Sequence, residues 1–351
     1  MRRPLIALGA GGVVVLVLAV AAAYVLRIGP LVPPAAPRSV VFVAISRSTD
    51  EADAHEIEAI DLDAGTRDLF DAGGRITAMA LSADRRSLYV ALDGGKIVFL
   101  DATTGSPFGD VGLGGPTVVS LVPTADGRTV FAVAVTNVQS SVVPIDLAGR
   151  KAADPITFTM TAGPAVIREG VLILPLGDPQ RLQVAFIDVS TRAVTSRLML
   201  PRGSLVPAAA VRLSDTRTGI MTWDPGFAGG GFGLRLYAVA DPLHWTDVLL
   251  QAPLPQGPVR SIAIGLQAVA AADGTIHVCS TSGASGASAR RYVVSADLRG
   301  TLAGTDCGPL AGGDRIVMAK RDPAQLVVLD DRSGGALRSL PLAGVPARIV
   351  H

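Results

Sequence analysis

Lysine is nearly absent from this chain, standing only at Lys96, Lys151 and Lys320, so arginine supplies almost all of the 31 basic residues. That skew fits a GC-rich bacterial genome and carries no chemistry. Set against 30 acidic residues it leaves a formal net charge of +1. This balance excludes a strongly basic nucleic-acid surface and an acidic solvating tail alike. Histidine is scarce too. His55, His244, His277 and His351 are scattered, and none falls in a Ser/His/Asp or His-x-x-x-His arrangement that activates a nucleophile or a metal-bound water. The 2 cysteines, Cys279 and Cys307, are too few to build a fold on disulfides and lack paired zinc spacing. They leave two readings open: one disulfide, outside the cytoplasm, or two buried thiols.

Long helices are missing as well. After residue 39 no stretch sustains a helical period of apolar residues, whereas short Val, Ile, Leu and Tyr runs alternate with Gly, Asp and Pro turns. With 49% hydrophobic residues, 17% charged, 39 Gly and 24 Pro, the chain buries a large core while turning often, which points to an all-β fold.

The amino terminus differs in kind. Arg2 and Arg3 precede an uncharged run, LIALGAGGVVVLVLAVAAAYVL, from Leu5 to Leu26. About 20 apolar residues in a helix cross the roughly 30 Å hydrocarbon layer of a bilayer. Residues 1–27 therefore read as a transmembrane signal-anchor, longer than the apolar part of a cleaved signal peptide. The basic residues before it place the rest of the chain on the extracytoplasmic side of a single-pass cell-membrane protein. Residues 28–38, rich in proline, read as a semi-extended spacer, and residues 39–351 as the folded domain.

That domain repeats itself. One unit contains a short strand, a polar turn, a second strand, a third ending in Asp, a turn and a fourth strand, clearest in ITAMALSADRRSLYVALDGGKIVFLDATTGSPFGDVGLGGP. The terminal Asp recurs as Asp61, Asp101, Asp146, Asp188, Asp241 and Asp330, with Asp297 a further case. The period of roughly 45 residues is that of a four-stranded propeller blade. Turn chemistry explains the Asp, whose carboxylate accepts backbone N–H bonds at the start of a turn. Through SADRRSLYVALDGGKIVFLDATTG, TADGRTVFAVAV and QLVVLDDRSGGALRSLPLAGVP, the chain resembles the YVTN-type and WD40-like repeats of seven-bladed β-propellers. The resemblance implies a seven-bladed β-propeller and no catalytic motif. Around residues 258–313 two registers compete: either Asp273-Gly274 joins the second and third strands, or Asp297 marks the end of the third. SVVFVAIS near residue 39 lacks an inner partner and VPARIV at the end is a spare strand, so residues 346–350 should pair with residues 39–46 and close the ring.

Propellers bind ligands in the central channel or on a loop face. The expected inner strands, RITAMALS, PTVVSLV, PAVIRE, AAAVRLS, PVRSIAIG and PARIV, carry Glu169 as their only carboxylate, so the ligand ring of a propeller lactonase is missing. The 2 tryptophans do not recur with the blades as those of quinone-cofactor dehydrogenases do. No cofactor, metal or catalytic residue is expected. Arg75, Arg260 and Arg348 near strand starts form either a cationic channel mouth for a small anion or sideways pairs with acidic loop residues. Among the longer loops, WDPGFAGGGFG offers Trp223, Phe227 and Phe232 as a partner-binding surface or as aromatics tucked into their own blade. Asp50, Glu51, Asp53 and His55 lack calcium-loop spacing and read as a solvated loop. The sequence thus describes a membrane-tethered, extracytoplasmic binding scaffold with a protein or envelope partner and no nucleic acid. A channel-site enzyme or sensor of a small anion is the alternative.

Overall fold

The structure is a computed structural model, describing residues 35–137, 139–177, 181–200, 209–224, 233–250, 264–271, 273–282, 288–295, 297–313 and 315–351. The apolar run at 1–27 and the first part of the spacer lie outside these residues. Among the described residues no helix is long and apolar enough to cross a membrane.

The described residues form seven antiparallel sheets, one per repeat. Blade 2 shows the pattern, with Ile76–Leu81 innermost, then Ser87–Leu92, Lys96–Asp101 and, outermost, Pro107–Gly112. Burial explains the sequence of each strand. Second and third strands are covered on both faces and read as continuous apolar runs, as in SLYVAL and KIVFLD, while outer strands such as ALRSLP are mostly exposed. Each blade shares an apolar cluster with the next. Phe42, Ile57 and Phe70 of blade 1 meet Met79, Leu88 and Val90 of blade 2. The series closes where Val317 and Leu326 of blade 7 meet Val43, Ile60 and Ile349 of blade 1. Each such fully buried aliphatic or aromatic side chain contributes roughly 1.5–3 kcal/mol, so the ring is held by contacts between blades as much as within them.

Closure follows the expected pairing of the last strand with the first. Val345–Val350 is the innermost strand of blade 1 and pairs with Val40–Ser46, Phe42 opposite Val350 and Ser46 opposite Val345. His351 Nε2 lies 2.7 Å from the Arg38 carbonyl, so the tail ends beside the start of the domain. The last spacer residues are part of this body. Ala36 is buried, its N–H donates to the Arg85 carbonyl, and the Arg85 guanidinium donates to the Pro37 and Val40 carbonyls at 3.0 and 2.7 Å. Pinned in this way, residues 35–38 belong to the fold rather than to a free spacer.

The antiparallel order divides the ring into two faces. Turns between first and second strands and between third and fourth strands share a turn face with Ala36 and His351. Loops between second and third strands, and the links between blades, share the opposite loop face. Asp turns build the first of these. Asp101 Oδ1 accepts from the Thr103 and Thr104 amides at 2.9 and 2.8 Å, and Asp61, Asp188, Asp241 and Asp330 repeat the motif.

Residues 258–313 resolve in favour of the second register. Ile276–Ser282 and Ser288–Val294 are the second and third strands of blade 6, Asp297 follows the third, and Asp273-Gly274 joins the first to the second. The inner strand described there is Ile264–Ala270, which shares Ile264 and Gly265 with the expected PVRSIAIG, whose other residues lie outside the described ones. Blade 7 has an inner strand of two residues, Leu310–Ala311, which the sequence does not announce.

Candidate functional site

The inner strands set what faces the channel, and in three blades they carry the same irregularity. Ile76 and Ala78 oppose Leu92 and Ala91, leaving Thr77 unpaired. Val119 is skipped in the same way in Thr117–Pro123, and Ala347 in Val345–Val350. A bulge of this type re-aims the side chain beside it. Aligned on the bulge, Arg348 matches Ala78 and Ser120, whereas Arg75 precedes its strand. The two arginines therefore occupy different depths.

Their environments differ accordingly. Arg75 lies on the rim of the loop face, where Nη2 donates to Asp93 Oδ2 at 2.5 Å. This bond raises the Arg75 pKa, with smaller pulls from Asp53 and Asp50, and lowers that of Asp93. Arg348 has no such partner among the described residues. Its Nε–H donates to the Thr77 carbonyl at 3.1 Å and its Nη1 to the Ala347 carbonyl at 2.8 Å. The side chain is exposed while Ala347 and Ile349 beside it are buried. Protein nonetheless rings the guanidinium closely enough that desolvation pushes its pKa down. Arg260 lies outside the described residues.

Two other cations near the inner strands, Arg168 and Arg212, have partners of their own. Arg168 is buried and donates to the Thr216, Val239 and Ala240 carbonyls, fastening blade 4 to blade 5. Arg212 pairs with Asp215 at 2.5 Å beside a cavity of about 640 Å³, lined by Val166, Ala210, Val211, Ala268 and Gly312. This cavity opens where the inner strands of blades 4 to 7 reach the turn face. A second hollow of about 700 Å³ lies on that face, with Asp273, Arg315, Asp331 and Arg332 in its wall.

On the loop face, Trp223 is the penultimate residue of the second strand of blade 5, Thr218–Asp224, opposite Leu234. Phe227 and Phe232 lie outside the described residues. The blade 1 loop turns through a short 3-10 segment, Glu51–Asp53, started by Asp50 Oδ1 accepting from the Ala52 amide at 2.9 Å. His55 Nε2 stands 2.9 Å from Asp53 Oδ1. Among the described residues no three His, Cys, Asp or Glu side chains gather as a metal-ligand set.

The joint between blades 6 and 7 holds polar chemistry that the repeat pattern conceals. A disulfide links Cys279, in the second strand of blade 6, to Cys307, in the link to blade 7. His277 is fully buried, with Nε2 2.7 Å from the Asp331 carbonyl, and burial pushes its pKa down. Arg291 reaches the Gly334 carbonyl and Asp306, and Asp306 also pairs with Lys320 at 2.7 Å. These groups lie beside the two-residue inner strand Leu310–Ala311. Odd residue types at core positions of blade 6, His277 and Arg291 above all, were the available sequence signal.

Fold and channel together define a seven-bladed β-propeller. No protein-family profile matches the sequence, and no curated protein matches it either. Solved structures match in fold. The periplasmic gluconolactonase PpgL of Pseudomonas aeruginosa gives a TM-score of 0.62 at 14% identity, over 88% of this chain and 98% of its own. The hydrazine synthase of Kuenenia stuttgartiensis gives 0.58 at 12% identity, over 78% of this chain and 89% of its own. The WD40 repeats of RRP9 give 0.56 at 12%, over 78% and 83%. Enzymes and WD40 scaffolds thus share the architecture, and identities this low establish the fold alone.

Proposed function

We propose that this protein is a membrane-tethered, extracytoplasmic binding scaffold of the WD40-like and YVTN-like kind, presenting its loop face to a protein or envelope partner. The observation that carries this reading is the separation of the two faces. Ala36 and His351 lie on the turn face, and the loops between second and third strands gather on the opposite one. Long loops on a rigid ring are where binding usually resides. The Cys279–Cys307 bond supports an oxidising compartment, and the uncharged run from Leu5 to Leu26 supplies the tether.

Affinity capture from solubilised membranes of the source cells tests the reading. The parent chain and a turn-face variant, Arg332→Ala, are expected to recover the same partner. Trp223→Ala with Phe227→Ala, or Asp50→Lys with Asp53→Lys, is expected to lose it. Loss on the turn-face change alone, or location of the domain in the cytoplasm by a fusion reporter at the carboxyl terminus, contradicts it.

A further inference from the structure

Of the four histidines only His277 is fully buried. Its ring bridges two blades, because Nε2 lies 2.7 Å from the Asp331 carbonyl in the turn between the third and fourth strands of blade 7. A carbonyl only accepts, so Nε2 carries the hydrogen. Nδ1 of the neutral ring is then a bare acceptor, buried with no partner among the described residues. The same turn, residues 330–335, takes a second bond from blade 6, since Arg291 donates to the Gly334 carbonyl. Gly334 has φ +66°, and a Cβ there would stand 2.7 Å from Val293 Cγ2 and 3.1 Å from Arg291 Nη1, so the turn is seated closely on blade 6. A proton on Nδ1 changes that seat. It adds an N–H with no acceptor and a second buried cation beside Arg291, whose own Nε is buried without a partner among the described residues. The charged groups of the surrounding elements are mixed in sign. Asp273 stands 3.9 Å from Arg332, Asp306 pairs with Arg291 and Lys320, and Asp330 is committed to the Arg332 and Ser333 amides. Burial and Arg291 outweigh the pulls of Asp331 and Asp273, and the His277 pKa falls below the ordinary histidine value. An undocked ring therefore takes a proton more readily than a docked one, and docking weakens as pH falls. The turn also walls a hollow, for Asp330, Asp331 and Arg332 line the cavity of about 700 Å³ on the turn face.

We propose that the seam between blades 6 and 7 is an acid-sensitive latch: with His277 neutral, turn 330–335 stays docked on blade 6, and protonation of His277 undocks that turn and opens the hollow beside it. The latch lies on the turn face, so it stands or falls apart from the scaffold reading of the loop face.

Amide exchange of the full chain in detergent, read by mass spectrometry and corrected for the intrinsic rate, tests the latch between about pH 7.5 and about pH 5, above ordinary carboxylate titration. Residues 330–335 of the parent are expected to lose protection by up to about tenfold per pH unit below about 6.5. Turn 188–193 of blade 4, built on the same Asp motif, should keep its protection over that interval. His277→Gln keeps a neutral donor for the Asp331 carbonyl and takes no proton, so its 330–335 segment should stay protected throughout. Unchanged protection of 330–335 in the parent overturns the proposal, as does an equal loss at 188–193 or an equal loss in His277→Gln. Should His277→Gln fail to fold, exchange of the imidazole Cε1 hydrogen in the parent decides. Protonation of His277 over the interval in which 330–335 opens upholds the latch, and a ring that stays neutral throughout overturns it.

Discussion

Asp188 shows what one repeated residue does for this ring. The Ser190 hydroxyl, then the Thr191 amide and hydroxyl, donate to its carboxylate and pull its pKa down to about 2, from 3.8. A depressed folded pKa means that the unfolded chain binds the proton more readily. The stabilisation is therefore present above about pH 4 and is lost as pH falls toward 2. Urea melts of the parent should show a falling midpoint across that window. Asp188→Asn should show a shallower fall there, and an identical slope in the two proteins would contradict the turn's role. The Asp was legible in sequence because its spacing is fixed by the strands it follows. Arg348 was legible only as an arginine near a strand start. Its depth and aim depend on the bulge at Ala347, and the register that creates the bulge is set by contacts with Val40–Ser46, far away in sequence.

Among the elements, the blade 6 to blade 7 joint departs furthest from the repeat. In blades 1, 2, 3, 5 and 6 the inner strand has four to seven residues, but in blade 7 Leu310–Ala311 pairs with Met318 and Val317, extended by the Ala319 amide donating to the Pro309 carbonyl. Covalent and polar links substitute there. The Cys279–Cys307 bond closes a loop with a sequence separation of 28, which by chain-entropy arithmetic stabilises by about 3–4 kcal/mol. Cys279→Ser with Cys307→Ser should lower the unfolding free energy by about that amount. Reduction of the parent should give the same loss, whereas a variant as stable as the oxidised parent would show that the bond carries no load. This joint is also where sequence reading runs short. Blade 2 repeats its motif cleanly because every strand is long enough to impose its period. Around Leu310 the strand is too short to leave any period, and the run IGLQAVAA fits two registers until Asp273-Gly274 is placed in its turn.

At the scale of the whole molecule, function depends on the ring being closed. Closure sets the two faces apart, gathers the inner strands around one channel and brings Arg348 to its wall. The tail was the most legible long-range feature of the sequence, because an unpaired opening strand and a spare final strand leave only one way to complete seven blades. The loop face was the least legible, since loop length reports room for a partner without naming one.

Hydrogen–deuterium exchange at residues 345–350 measures that closure directly. Those of their amides that bond to Val40–Ser46, Pro346 having none and Ala347 being skipped at the bulge, should exchange as slowly as the amides of Phe42 to Ile45, and the two segments should lose protection together as urea is raised. Exchange of 345–350 at the rate of a free tail, with Phe42 to Ile45 still protected, would contradict the closed ring and the channel and faces built on it.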